Sequence, residues 1–197
     1  MIALLSRAAS IVARPRPTWV AIAQERTPPL RLYIGYIVPL AAIGPLATFV
    51  AMHVVGVRIS RVALYRASVS ESLLEAAMSF VYALAGAAII AAMLDLLAPL
   101  FGASRSFARA MRITAYAYTP AWLAGALLAY PPLQALQLVA LCYALYLLAF
   151  GVHAVMGVTQ RAAGLYAAAA ILGAVAVGFG LGALGAGLQA MALALRR

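Results

Sequence analysis

The chain has 197 residues, of which 67% are hydrophobic and only 9% are charged, and its mean hydropathy is +1.04. Soluble domains have about 25% charged residues, so this composition excludes a water-soluble globule and predicts a polytopic membrane protein. The net charge of +10 comes from fourteen arginines and four acids, without lysine. Because the arginines lie between apolar runs, they indicate contact with lipid headgroups and exclude a nucleic-acid partner. A single cysteine, Cys142, leaves no disulfide framework.

Residues 1–32 form a lead-in before the first long apolar run. Apolar residues recur there at spacings of three and four, before and after the Arg14-Pro15-Arg16-Pro17 break. This pattern predicts two short amphipathic helices, which we expect to lie in the membrane interface on the cytoplasmic side. Arg7 interrupts the first apolar stretch, which argues against a cleaved signal peptide.

Five apolar runs follow, each long enough to cross the ~30 Å hydrocarbon core at about 1.5 Å per residue. They cover about residues 33–57, 72–98, 107–129, 133–158 and 164–190, within a membrane domain of residues 33–195. Pro39 and Pro45 should kink the first span, since each removes a helix hydrogen bond. Ser72 and Glu75 match a capping box at the start of the second. The predicted fold is all-α, a five-transmembrane-helix bundle with a short amphipathic N-terminal interfacial segment.

The arginines also indicate the orientation of the spans. With a cytoplasmic N-terminus, nine of the fourteen arginines fall on the inner side and five on the outer side. Basic residues in short loops are retained in the cytoplasm, so a cytoplasmic N-terminus and an outer C-terminus are favoured. No inverted repeat is visible, and five spans do not divide into equal halves, which weakens a transporter interpretation.

Asp95 lies inside an apolar run, where an ionised carboxylate costs roughly 3 kcal/mol or more and should find a partner. The arginines that start the third span, Arg105, Arg109 and Arg112, are expected close to it. We therefore expect an ion pair between Asp95 and one of these arginines that holds the second and third spans together. A role for Asp95 in an ion or proton path is the alternative.

The third span contains the run Ala115-Tyr116-Ala117-Tyr118-Thr119-Pro120-Ala121-Trp122. Pro120 frees the carbonyl of Tyr116, and Thr119 can hydrogen-bond within the same turn. A stabilised kink is the simpler interpretation, and a polar cavity lined by Tyr116, Tyr118 and Thr119 is the functional one. The candidate polar cluster, functional or structural, consists of Asp95, Arg109, Arg112, Tyr116, Tyr118, Thr119, Pro120 and His153.

The remaining ionisable groups do not form a recognisable catalytic or metal site. His53 and His153 fall at opposite ends of the membrane, and no other set of ligands has metal-binding spacing, so neither a metal nor a cofactor is expected. Glu75 is expected to cap its helix and, on the outer side, to pair with His53. Glu75 and Asp95 lie on nearly opposite sides of one helix, and no catalytic triad shares a membrane face. The sequence therefore indicates that the protein is not an enzyme.

Small residues recur at four-residue steps on two of the predicted spans. The rows are Ser79, Ala83, Ala87 and Ala91 on the second span, and Gly178, Gly182, Ala186 and Ala190 on the fifth. Such rows let helices approach closely in lipid. Close packing within one chain is the simpler interpretation, and a dimer face is the alternative.

Several segments match a known family in order and spacing. They are residues 17–25, the 36–45 stretch with its Pro39-Leu40-Ala41-Ala42-Ile43 run, the turn of residues 95–102, the Tyr-x-Tyr-Thr-Pro run of residues 115–122, and residues 145–148 with Gly151. Together they resemble bacterial members of the Yip (Ypt-interacting protein) domain family, over about residues 15–190. The resemblance implies five helical spans and a cytoplasmic N-terminus. Eukaryotic relatives act in vesicle traffic with prenylated Rab-type GTPases, but the short lead-in here argues against carrying Rab binding over.

Two functions follow as hypotheses. The first is a non-enzymatic protein of the bacterial inner membrane, a scaffold or adaptor whose partners are the lipid bilayer and a second copy or another membrane protein. The second is a small ion- or proton-coupled transporter or channel. Its polar, inward-facing cavity between spans two, three and four would be lined by Asp95, Arg112, Tyr116, Thr119 and His153.

Overall fold

The computed structural model describes residues 2–58 and 64–194 and is helical almost throughout. Its helices are α1 (Ile2–Ala13), α2 (Pro15–Gln24), α3 (Pro29–Leu32), α4 (Val38–Ala41), α5 (Ile43–Phe49), α6 (Val69–Leu97), α7 (Phe107–Ala117), α8 (Thr119–Ala124), α9 (Leu136–Met156) and α10 (Gln160–Ala194). Two short strands, β1 (Val57–Arg58) and β2 (Leu64–Tyr65), pair antiparallel with Val57 opposite Tyr65. The predicted helical membrane bundle is confirmed.

Four helical segments of the described chain are long and apolar enough to cross a membrane. They are Pro29–Val55, Val69–Phe101, Leu136–Met156 and Arg161–Leu188. Residues 107–129 form the third helical segment in chain order, but they are divided among α7, α8 and the 3-10 turn Gly125–Ala129. At about 1.5 Å per residue this segment rises about 34 Å, comparable to the hydrocarbon core. The five-span count stays a prediction.

The first membrane segment is broken where its prolines predict. Between Pro29 and Val55 the chain alternates α3, α4 and α5 with the π-helical turns Tyr33–Ile37 and Val50–Val55. The backbone of this segment also lies against the backbone of the 3-10 turn that follows α8. A Cβ atom added to Gly125 would lie 2.9 Å from the Cα atom of Gly44, so this contact requires glycine.

The capping box of α6 lies one helical turn before the predicted one. Ser68 accepts a hydrogen bond from the backbone of Glu71, and the Glu71 carboxylate accepts one from the backbone of Ser68. Ser72 lies inside the helix and donates to the carbonyl of Ser68. The prediction of Ser72 and Glu75 as the capping box was therefore wrong. Ser68/Glu71 and Ser72/Glu75 have the same spacing, but only Ser68 has the non-helical backbone that a cap residue requires.

The lead-in helices α1 and α2 pack onto the bundle. Ile11, Trp19 and Ile22 are fully buried, and the Trp19 ring lies over Gly151 of α9, where an added Cβ atom would be 2.5 Å from the ring. The Tyr143 hydroxyl of α9 donates to the carbonyl of Val12 over 2.8 Å. The apolar side of the lead-in therefore faces the other helices. Its expected position in the membrane interface stays a prediction.

The last two helices form an antiparallel hairpin whose surface is apolar. Gly157, with φ of +70°, ends α9 in a left-handed conformation that suits glycine. Along α10 the large side chains are strongly exposed, among them Leu172 at 70% and Phe179 at 77%. Such exposure is stable in hydrocarbon and costly in water.

Candidate functional site

The break between α7 and α8 positions the polar residues of the third segment. Pro120 has no N–H to donate, so the α-helix stops after Ala117 and resumes at Thr119. The Thr119 hydroxyl donates to the carbonyl of Ala115 over 3.2 Å, a hydrogen bond within the same helical turn. The predicted kink is therefore present. Tyr116 and Thr119, three residues apart, share one side of this helix.

Tyr116 binds an acid from the lead-in. Its hydroxyl donates to Glu25 Oε2 over 3.0 Å, and the other carboxylate oxygen of Glu25 accepts from Arg7 in an ion pair. The Arg7 guanidinium also lies 5.8 Å from the centre of the Tyr116 ring, within the range of a cation–π contact. Two residues of the lead-in thus converge on one tyrosine of α7.

Arg112 binds the end of α2. Its Nη1 atom donates to the carbonyl of Ile22 over 3.1 Å and to the carbonyl of Glu25. These carbonyls lie at the C-terminus of α2, where a helix leaves acceptors unpaired and its dipole favours a cation. Arg112 is only 7% exposed. We call Arg7, Glu25, Arg112 and Tyr116 the lead-in cluster.

A second contact extends the lead-in cluster to the first membrane segment. The Tyr36 hydroxyl and Thr119 Oγ1 are 2.9 Å apart and hydrogen-bonded. The rings of Tyr36 and Tyr116 meet edge to face, with their centres 5.0 Å apart. Both Tyr36 and Thr119 are buried. Three parts of the chain, the lead-in, the first segment and α7–α8, are therefore joined by one polar and aromatic network.

Asp95 does not form the expected ion pair with an arginine in the described part of the chain. Its Oδ1 atom is buried and has no hydrogen-bond partner there. Arg112 binds the lead-in instead, and Arg109 donates to the carbonyls of Ser104 and Met156. A guanidinium can also donate to backbone carbonyls, so the charges alone could not select its partner. The predicted ion pair between Asp95 and one of these arginines was therefore wrong.

The other predicted cluster residues make no hydrogen bond within this network. His153 is exposed on α9, and Pro120 is buried in the kink. Tyr118 faces a different space, described below. The structure therefore brings together Arg112, Tyr116 and Thr119 from the predicted cluster and adds Arg7, Glu25 and Tyr36, which sequence reasoning missed. Any functional role of the whole set stays a prediction.

On the predicted outer side, His53 contacts the loop before α6. Its Nδ1 atom lies 3.1 Å from the carbonyl oxygen of Ala67, and its ring lies 5.6 Å from that of Phe49. The pairing of His53 with Glu75 stays a prediction. In the same loop, the charge of the Glu71 carboxylate raises the pKa of Tyr65, whose hydroxyl donates to it.

A cavity of about 780 Å³ lies between α6, α8, α9 and α10. Its lining is apolar apart from Tyr82, Tyr118 and Trp122. The residues that the transporter hypothesis placed around a polar cavity, such as Arg112 and Tyr116, do not line it. The polar residues and this cavity are thus separate features of the molecule.

A model of the Yip1 domain matches residues 9–182, from α1 into the second half of α10. The chain belongs to the Yip1 domain family. No curated protein and no solved structure matches it. The Yip1 domain match includes most of the lead-in, in agreement with the packing of α1 and α2 onto the bundle. The protein is therefore a multi-pass membrane protein from a family that is not a known enzyme family.

Proposed function

We propose that this Yip1 domain protein is a non-enzymatic scaffold or adaptor of a bacterial inner membrane, acting through lipid or protein contacts. The main support is that the polar side chains of the third segment bind the protein's own lead-in and first membrane segment. Arg112, Tyr116 and Thr119 are buried and hydrogen-bonded. Groups engaged in this way hold helices together and are not free to bind a solute.

The exposed arginines of the lead-in supply the lipid contact in this proposal. Arg16, Arg26 and Arg31 are exposed, on the side predicted to be cytoplasmic. Each basic residue near an anionic membrane surface contributes about 1 kcal/mol of attraction. The apolar faces of α9 and α10 supply the protein contact, since helices associate in lipid through packing rather than through exclusion of water.

The full-length protein in nanodiscs tests this proposal. We expect anionic lipid to be enriched around it and single-molecule photobleaching or copurification to reveal a second copy or another membrane protein. The variant Arg16→Gln/Arg26→Gln/Arg31→Gln should lose most of the anionic-lipid enrichment. Arg66→Gln, an exposed arginine on the predicted outer side, is the control. A protein that stays monomeric, copurifies with nothing and shows no lipid preference contradicts the proposal.

A proton-coupled transporter is the second candidate, and Asp95 is the observation that favours it. A buried carboxylate oxygen without a partner in the described chain is costly inside a membrane, and carboxylates within membrane segments mark ion and proton paths. Ion and solute flux into proteoliposomes tests this candidate. It predicts flux that Asp95→Asn abolishes; absence of flux, or flux that survives the substitution unchanged, contradicts it.

A further inference from the structure

We propose that the cavity between α6, α8, α9 and α10 binds an uncharged membrane lipid that carries a carbonyl oxygen in its apolar part. This inference rests on the proposed function, because it names the class of lipid that one of the protein's lipid contacts would hold. Its support comes from the depth of the cavity, the residues that leave it open, and the hydroxyl groups on its wall.

The cavity lies at the middle of the membrane segment. The uncharged part of α6 begins after Glu75 and ends before Asp95. The α6 residues that line the cavity run from Tyr82 to Ile90, midway between these two acids. The lined stretch rises about 12 Å, and the uncharged part about 28 Å, close to the thickness of the hydrocarbon core. At this depth the surrounding solvent is hydrocarbon, so the occupant must be apolar over most of its surface.

Small residues from both sides leave the space open. Ala83 and Ala87 of α6 and Gly178 and Gly182 of α10 line the same cavity. These are the two rows that the sequence predicts to pack closely, and close packing between α6 and α10 occurs outside the cavity, where a Cβ atom on Gly173 would clash with the side chain of Met93. The cavity thus coincides with both small-residue rows.

The cavity opens toward lipid between α9 and α10. The lining residues Ala87 and Ile90 on α6 are buried, whereas Leu141 on α9 and Phe179 on α10 are 39% and 77% exposed. A molecule dissolved in the bilayer can therefore enter from the side, without passing through water.

The wall carries hydrogen-bond donors that an ordinary acyl chain does not satisfy. The Tyr82 hydroxyl is buried without a hydrogen-bond partner in the described chain, and Tyr118 brings a second hydroxyl group to the lining. A buried donor without an acceptor is unfavourable, most of all in hydrocarbon. Phospholipid ester carbonyls lie at the edge of the hydrocarbon core, whereas neutral lipids with a carbonyl-bearing ring can reach its middle. Aromatic side chains of Trp122 and Phe179 on the lining add surfaces against which such a ring can stack.

The test uses decylubiquinone as a probe, with full-length protein in nanodiscs. Trp122 lines the cavity and Trp19, the other tryptophan, is buried in the lead-in contact. Quinones quench tryptophan emission, so binding should appear as saturable quenching above the linear collisional component. The signal should be lost in Trp122→Phe, which retains Trp19.

A matched pair of glycine variants and one tyrosine variant decide the proposal. An added Cβ atom meets nothing within 4 Å at either Gly178 or Gly180, but only Gly178 lines the cavity. Gly178→Leu should abolish saturable quenching, and Gly180→Leu should preserve it. Tyr82→Phe should weaken binding about five-fold, the effect of one lost hydrogen bond.

Quenching that is linear in the wild type, or identical in Gly178→Leu and Gly180→Leu, overturns the proposal. So does unchanged affinity in Tyr82→Phe, which would leave plain hydrocarbon as the occupant. Self-association and anionic-lipid enrichment are measured on the same samples. If these persist while saturable quenching is absent, the cavity proposal alone fails and the scaffold proposal stands.

Discussion

Glu25 is the residue on which most contacts of the lead-in cluster depend. Its carboxylate binds Arg7 and Tyr116, and its backbone carbonyl binds Arg112. The local properties of Tyr116, Thr119 and Pro120 could be predicted from sequence, because a proline kink acts within one helical turn. The partners could not, since Glu25 and Tyr116 are 91 positions apart and nothing in a local pattern specifies a contact at that separation.

A double-mutant cycle measures the bond between Glu25 and Tyr116. Glu25→Gln and Tyr116→Phe should each destabilise the protein, and the double variant should lose less than the sum, with a coupling energy of about 0.5–3 kcal/mol. Reversible unfolding in mixed micelles provides the free energies. Tyr33→Phe, whose hydroxyl donates to the carbonyl of Leu84, is the control and should be additive with Glu25→Gln. Additivity of Glu25→Gln with Tyr116→Phe would show that the bond does not contribute.

At the scale of elements, apolar run length predicted the long helices well and their contacts poorly. The predicted breaks at prolines are present in the first segment and between α7 and α8. They could be predicted because the loss of a backbone donor is a local effect. The lead-in was predicted from its amphipathic spacing alone, and that spacing is the same whether the apolar side meets lipid or other helices. In the structure, Trp19 is buried against Gly151, so this part of the apolar side meets another helix.

Gly151 provides a test of the lead-in packing. Gly151→Ala places a methyl group against the Trp19 ring and should displace α2, costing about 1–3 kcal/mol of stability as overpacking does. In a Trp122→Phe background, Trp19 emission should shift to the red and become accessible to acrylamide. Gly164→Ala, where an added Cβ atom meets nothing within 4 Å, should leave both properties unchanged. Equal behaviour of the two variants would contradict the described packing.

The contact between the first segment and the turn after α8 gives a second test. Gly125→Ala brings its new methyl group against the backbone of Gly44, and backbone cannot move aside as a flexible side chain can. We expect a lower midpoint of thermal unfolding in detergent than for wild type. Gly35→Ala lies in the same first segment with open space around it and should retain the wild-type midpoint. A Gly125→Ala protein as stable as Gly35→Ala would be inconsistent with this contact.

At the scale of the whole molecule, the polar groups and the open space are separated. The lead-in cluster joins α1 and α2 to α7, whereas the cavity lies among α6, α8, α9 and α10 and is largely apolar. Composition predicted the membrane class, and small-residue spacing identified the residues on both sides of the cavity. It did not predict an open space, because small residues permit either close contact or a gap.

Cysteine accessibility in the membrane tests most directly whether the packing around Thr119, next to the lead-in cluster, is closed to water. Cys142, which is exposed, is first replaced by alanine, and Thr119→Cys is then treated with a membrane-impermeant thiol reagent from each side of sealed vesicles. Arg105→Cys, at an exposed position, is the positive control. Closed packing of Thr119, which is fully buried, predicts no labelling from either side while Arg105→Cys reacts. Rapid labelling of Thr119→Cys would show a water-filled path to this position and contradict the closed packing of the third segment.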